Sequence, residues 1–156
     1  MNIFSKLQQD VIARLTATVP TIPSPIPASG TVQWVTEDIG DLANIVTRAI
    51  GKVGVVGIVL TPGGGKMYAL DHKLPPAFIC PLMIQIQENV TVNRGAAGTK
   101  ISALDLVQFC MKRLHNWSPT NQRLNCLYLE ETPFVLIEEY PTLTYNVKFS
   151  TGVTIS

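Results

Sequence analysis

Eight consecutive residues, Val53 to Leu60, carry no polar side chain, and most of them are β-branched. Branched side chains at this density favour a strand. A strand that is apolar on both faces has to be covered on both faces. The chain must therefore build a layered sheet with this segment inside it. Gly54 and Gly57 interrupt the run, and at strand length it is far too short to span a membrane.

Other segments supply the remaining layers. Ile3 to Thr18 reads as a helix, because Phe4, Leu7, Val11 and Leu15 recur at helical spacing between polar residues. Residues 19–33 form a strap with prolines at positions 20, 23, 25 and 27, and proline at this density excludes helix. A second helix is predicted from Thr36 or Asp38 to Ile50, stapled at its entry by Trp34 and Val35 and ended by Gly51. Met67 to Leu70 reads as a short return strand. Phe78 to Val92 reads as a long strand broken at Pro81, with Ile84, Ile86 and Glu88 in one phase and Gln85, Gln87 and Asn89 in the other. Ser102 followed by Asp105 has capping-box spacing and opens a third helix that runs to about His115. Three strands close the chain, at Leu124–Leu129, Phe134–Glu139 and Leu143–Phe149. Their short connections predict an antiparallel meander. The whole of residues 1–156 is then one α+β domain, a mostly antiparallel sheet with helices packed mainly on one face.

Composition decides what such a domain does with its surface. Hydrophobic residues make up 46% and charged residues 15%, against about 25% charged in ordinary soluble domains. So few charges cover a lone small domain poorly, which points to apolar surface hidden in an assembly. The net charge is +1, and Lys112–Arg113 is the only adjacent basic pair. Phosphate-backbone binding needs clustered cations, so a dedicated nucleic-acid surface is not expected. No secretion signal follows Met1, and Cys80, Cys110 and Cys126 read as free thiols.

No catalytic, cofactor or metal constellation emerges. Gly63-Gly64-Gly65-Lys66 lacks the first glycine of a phosphate loop and the hydroxyl residue after its lysine, so it reads as a flexible hairpin tip. Asn93-Arg94-Gly95 with Gly98 lacks the dinucleotide pattern. Small residues around Arg94 suit close approach of a neighbouring chain. These eight residues are the candidate subunit or partner contacts. His72 and His115 have no second ligand at metal spacing. Glu130–Glu131 and Glu138–Glu139 read first as solvated strand ends, and second as the lining of an electronegative channel.

The strand Ile84–Arg94, the small-residue loop Gly95–Thr99, the helix Ser102–Leu114 and the exit Leu114-His115-Asn116-Trp117-Ser118-Pro119 together resemble tail terminator and neck proteins of tailed bacteriophages. The opening helix followed by a proline-rich strap is similar to that group too. The resemblance is strongest over residues 84–119; the strap and the Gly63–Gly65 loop depart from it. It implies a non-enzymatic virion protein, made in the bacterial cytoplasm, that forms a homo-oligomeric ring, commonly a hexamer. Such a ring caps the tail tube, ends its polymerisation and meets the head connector, with genomic DNA as passing cargo and no cofactor. Another head–tail adaptor, tube or baseplate subunit is the alternative. A small ligand-binding module or enzyme built on Asp71, His72 and the glycine loop is a third reading.

Overall fold

The computed structural model describes residues 2–16, 32–37, 40–62, 66–69, 77–96, 98, 101–119 and 126–154. The prolines of the strap, Gly63–Gly65 and the Asp71–Pro76 loop with His72 lie outside the described residues. The elements are α1 (Ile3–Thr16), β1 (Gln33–Thr36), α2 (Leu42–Val53), β2 (Val55–Leu60), β3 (Lys66–Ala69), β4 (Ala77–Asn89), α3 (Val90–Arg94), α4 (Ala103–Leu114), β5 (Tyr128–Glu139) and β6 (Thr142–Thr154). The strands form a sheet ordered β1–β2–β4–β6–β5, with β3 also on β4. Only the β1–β2 pair is parallel. The fold is the expected α+β arrangement.

β2 lies inside the sheet, as its sequence requires, and its two faces feed two cores. Val55 and Val59 join α1 (Leu7, Val11, Leu15) and α4 (Leu106, Cys110, Leu114) over Ile84, Ile86, Val147 and Phe149. Val56 and Ile58 face the other way and pack with Val35, Val46 and Ala49 under α2. Two long helices thus share one face, and α2 covers the opposite face at the β1–β2 end. Gly57 is needed on the first face, because a Cβ there would stand 2.2 Å from the Trp34 ring.

Several boundaries differ from the sequence reading, each for a local reason. Trp34 and Val35, expected to staple a helix, lie instead in an edge strand, β1, paired with Gln33 opposite Val56 and Thr36 opposite Val59. α2 runs through Gly51 and stops at Gly54, whose φ of 85° closes the last turn. β3 does not return along β2. Leu60 pairs with Met83, and Lys66 then pairs with Ile79, so the two strands follow one another along the same edge of β4. β2 and β3 thus do not pair with each other, and the Gly63–Gly65 segment read as a hairpin tip lies outside the described residues. Pro81 does not break β4. The Asn89 N–H points toward Gly54 O at 2.8 Å, so by alternation the donor missing at Pro81 would point into the gap between β2 and β3, where no ladder bond is lost. Finally, the first two of the three closing strands are one strand. β5 pairs with β6 through Leu129–Phe149 and again through Phe134–Val147, so residues 130–133 stand opposite Lys148 alone. Pro133 in this bulge lets the strand continue where a turn was expected.

A buried polar latch joins sheet to helices. Glu88, in the inward phase of β4, is 1% exposed. Its Oε1 accepts from Asn93 Nδ2 at 2.7 Å and its Oε2 from the Ala103 N–H at 2.8 Å, the first turn of α4. Asn93 Nδ2 also donates to Ile101 O at 2.7 Å. The carboxylate satisfies an end donor of α4 and faces its positive pole, beside the expected Ser102–Asp105 capping box. Gly54 packs against the Asn93 backbone so closely that a Cβ would lie 2.3 Å from its main-chain nitrogen.

A carboxylate accepts at both oxygens, whereas an amide would set one donor against a donor. Glu88→Gln is therefore expected to cost about 1–3 kcal/mol of stability. Urea unfolding checks this, and an unchanged midpoint would contradict the latch.

Candidate functional site

The surface feature that stands out is β5. It is the last strand in the sheet order, so its outer edge pairs with no strand among the described residues. Register places Phe134 and Leu136 on the face shared with α1 and α4, because they oppose Val147 and Tyr145. Tyr128, Val135 and Ile137 lie on the opposite face, against Ser150, Asn146 and Thr144. All five are exposed, Leu136 by 43% and Ile137 by 48%, and Tyr140 at the turn reaches 77%. From Phe134 to Ile137 neither phase of the strand is buried, and an apolar strand edge is a ready template for another chain.

The chain holds this edge firmly. β6 pairs with β4 over thirteen residue pairs, from Ala77–Thr154 to Asn89–Thr142, so the hairpin is braced along its length. The Val90 N–H donates to Pro141 O at 2.9 Å and ties the turn to the start of α3. At the other end, His115 Nδ1 accepts from the Leu129 N–H at 3.1 Å, and its ring meets Tyr128 edge-on. Beside β5, the face not covered by helices carries a run of amides: Gln87 Nε2 donates to Gln85 Oε1 (2.8 Å) and Gln85 Nε2 to Asn146 Oδ1 (3.1 Å).

The residues singled out in sequence do not converge. Gly63, Gly64 and Gly65 lie outside the described residues, and the Lys66 backbone opens β3. Asn93 is corrected from surface contact to core: it is fully buried, and its amide is engaged by Glu88 and Ile101. Arg94 remains exposed beside it, with Gly95 and Gly98 half-buried. A Cβ at Gly98 would meet Asn93 O at 2.1 Å, so that glycine answers to close packing within the chain. The four glutamates are all exposed on β5, but at two places: Glu130 and Glu131 in the bulge, Glu138 and Glu139 next to the turn. Sequence reasoning missed Glu88 and the apolar run Phe134–Ile137. An acidic residue in the inward phase of β4 signalled the first. Four apolar residues in a row without alternation signalled the second.

Among the described residues, no group of three His, Cys, Asp or Glu side chains gathers to hold a metal. The thiols of Cys80 and Cys110 are buried. Desolvation, with a smaller push from Glu37, raises the Cys80 pKa to about 11, and burial drives that of Cys110 higher still. Neither yields a thiolate near neutral pH. No helix of the described residues is long and apolar enough to cross a membrane.

No family model matches the chain, and no curated protein matches it. A solved structure does. One chain in the virion of a native gene transfer agent particle superposes with a TM-score of 0.60, covering 99% of this chain and 100% of that one at 14% sequence identity. At that identity the likeness is one of fold, and it extends over the full length of both chains.

The thiol environments give a direct check. With iodoacetamide at pH 8, half-buried Cys126 is expected to alkylate first and Cys110 only on unfolding. Peptide mass spectrometry reads the order, and early labelling of Cys110 would contradict the packing of α4.

Proposed function

We propose that this chain is a structural subunit of a phage-like particle, acting as a tail-terminator-like protein. In this reading it forms a homo-oligomeric ring, of six copies, that caps the tail tube and presents a surface to the head connector. The observation that carries the reading is β5: an edge strand with exposed apolar side chains on both faces, braced so that it stays extended. A monomer bears the aggregation cost of such an edge without benefit. A subunit that meets neighbours gains from it.

Three further observations support the proposal. The fold is shared with a chain found in a gene transfer agent virion. The charged fraction is low, 15% of residues. His115 serves a backbone hydrogen bond, and the thiols of Cys80 and Cys110 are buried in the core. Glu130 and Glu131, looped off the ladder by the bulge, are the carboxylates best suited to line a central passage. There their charge would repel DNA and let it move through.

Native mass spectrometry and negative-stain microscopy test the proposal, on the protein alone and mixed with tail tube protein from the same particle. Discrete rings, free or on the head-proximal end of tubes, are expected. Val135→Lys with Ile137→Lys, on the exposed face of β5, should abolish ring formation while leaving the far-ultraviolet dichroism unchanged. A monomer that never associates with itself or with tubes would overturn the reading.

A further inference from the structure

We propose that the subunits join head to tail, the β5 edge of one copy lying antiparallel against the β1 edge of the next. This rests on the ring reading above and specifies its contact. β1 and β5 are the two outer strands of the sheet path. Following the pairings from β1 to β5, strand direction reverses three times after the parallel β1–β2 pair, so β5 runs opposite to β1. A copy added sideways in the same orientation would therefore continue the sheet with an antiparallel pair, the geometry common at augmented edges.

Charge then sets which ends meet. One row crosses the sheet from Val55 through Glu88 and Leu143 to Glu138. At its β5 end stand Glu138 and Glu139, both exposed, on a strand with no basic residue. At its other end α2 finishes at Val53, just before the row begins, and carries exposed Arg48 and Lys52 with no acidic residue. The two groups have opposite sign; the C-terminal end of α2 stands near the β2 end of this row and the carboxylates stand at its β5 end. Glu139 and Ile137 also share the sheet face on which α2 packs. Sideways addition thus carries the carboxylates of one copy toward the α2 side of the next, with exposed Ile137 on the sheet face that bears α2. Such a contact uses two different patches, so it is heterologous and closes into a ring when the rotation between copies allows. A two-fold contact of β5 with β5 would bring the glutamates of both copies into the same seam and leave Arg48 and Lys52 unused.

The test is a charge exchange read by the assembly midpoint in native mass spectrometry, with thermal melting as the check on folding. All four residues are exposed, so the variants should fold. Glu138→Lys/Glu139→Lys and Arg48→Glu/Lys52→Glu should each raise the midpoint concentration by about tenfold or more, and the fourfold variant should return to within about threefold of the parent. Loss of assembly in both double variants without recovery in the fourfold one would overturn the pairing. So would a parent-like midpoint for the α2 variant, which is what a β5–β5 contact gives. A parent protein that forms no ring would instead sink the ring reading itself.

Discussion

Glu88 occupies the row of the sheet where β4 gives way to the helical segments, and much of the architecture is registered on it. Its carboxylate is out of contact with water, bonded on one side to Asn93 and on the other to the first turn of α4. A buried charge is tolerated only when its partners are fully in place. The latch therefore fixes where α4 begins relative to the β4–β6 ladder. From that placement follow the shared core of α1 and α4 and the anchoring of the chain that leads through His115 into β5. The apolar edge can stay straight and exposed because everything behind it is pinned.

The molecule also divides its polarity by face. The α1/α4 side is a conventional core, and the uncovered side presents an amide ladder of Gln85, Gln87 and Asn146. Such side chains satisfy one another, and most of the exposed large apolar residues lie instead on β5 and its turn. Unsatisfied apolar area is therefore concentrated at one margin of the sheet. That concentration separates a subunit with a directed contact from one that is merely greasy.

Much of this was legible in the sequence. Val53–Leu60 demanded a covered strand, and β2 is one. Ser102 and Asp105 announced the start of α4, and the alternation at Leu143–Phe149 marked β6. The failures share a cause, which is that local signals cannot see partners. Trp34 and Val35 are too few to declare a strand until β2 lies beside them. Glu130–Pro133 reads as a turn, because turn residues and bulge residues are the same types, and only pairing with β6 tells them apart. Asn93 next to glycines looks like a contact loop, yet those glycines allow its burial. As for the candidate site, the charges of β5 were visible, but the exposure of Phe134–Ile137 depends on the strand order, which short-range patterns do not encode.

The bulge at Glu130–Pro133 bears on what happens before assembly. An exposed, straight, apolar β-ribbon invites endless stacking, and its worst outcome is fibre growth. Here the straight portion is short: one end is a proline kink carrying two glutamates, the other a turn preceded by two more. These flanks act as gatekeepers. They leave room for one docked segment of matching length and penalise any slipped register. The same strand can thus be adhesive toward its proper neighbour and still survive alone in a crowded cell.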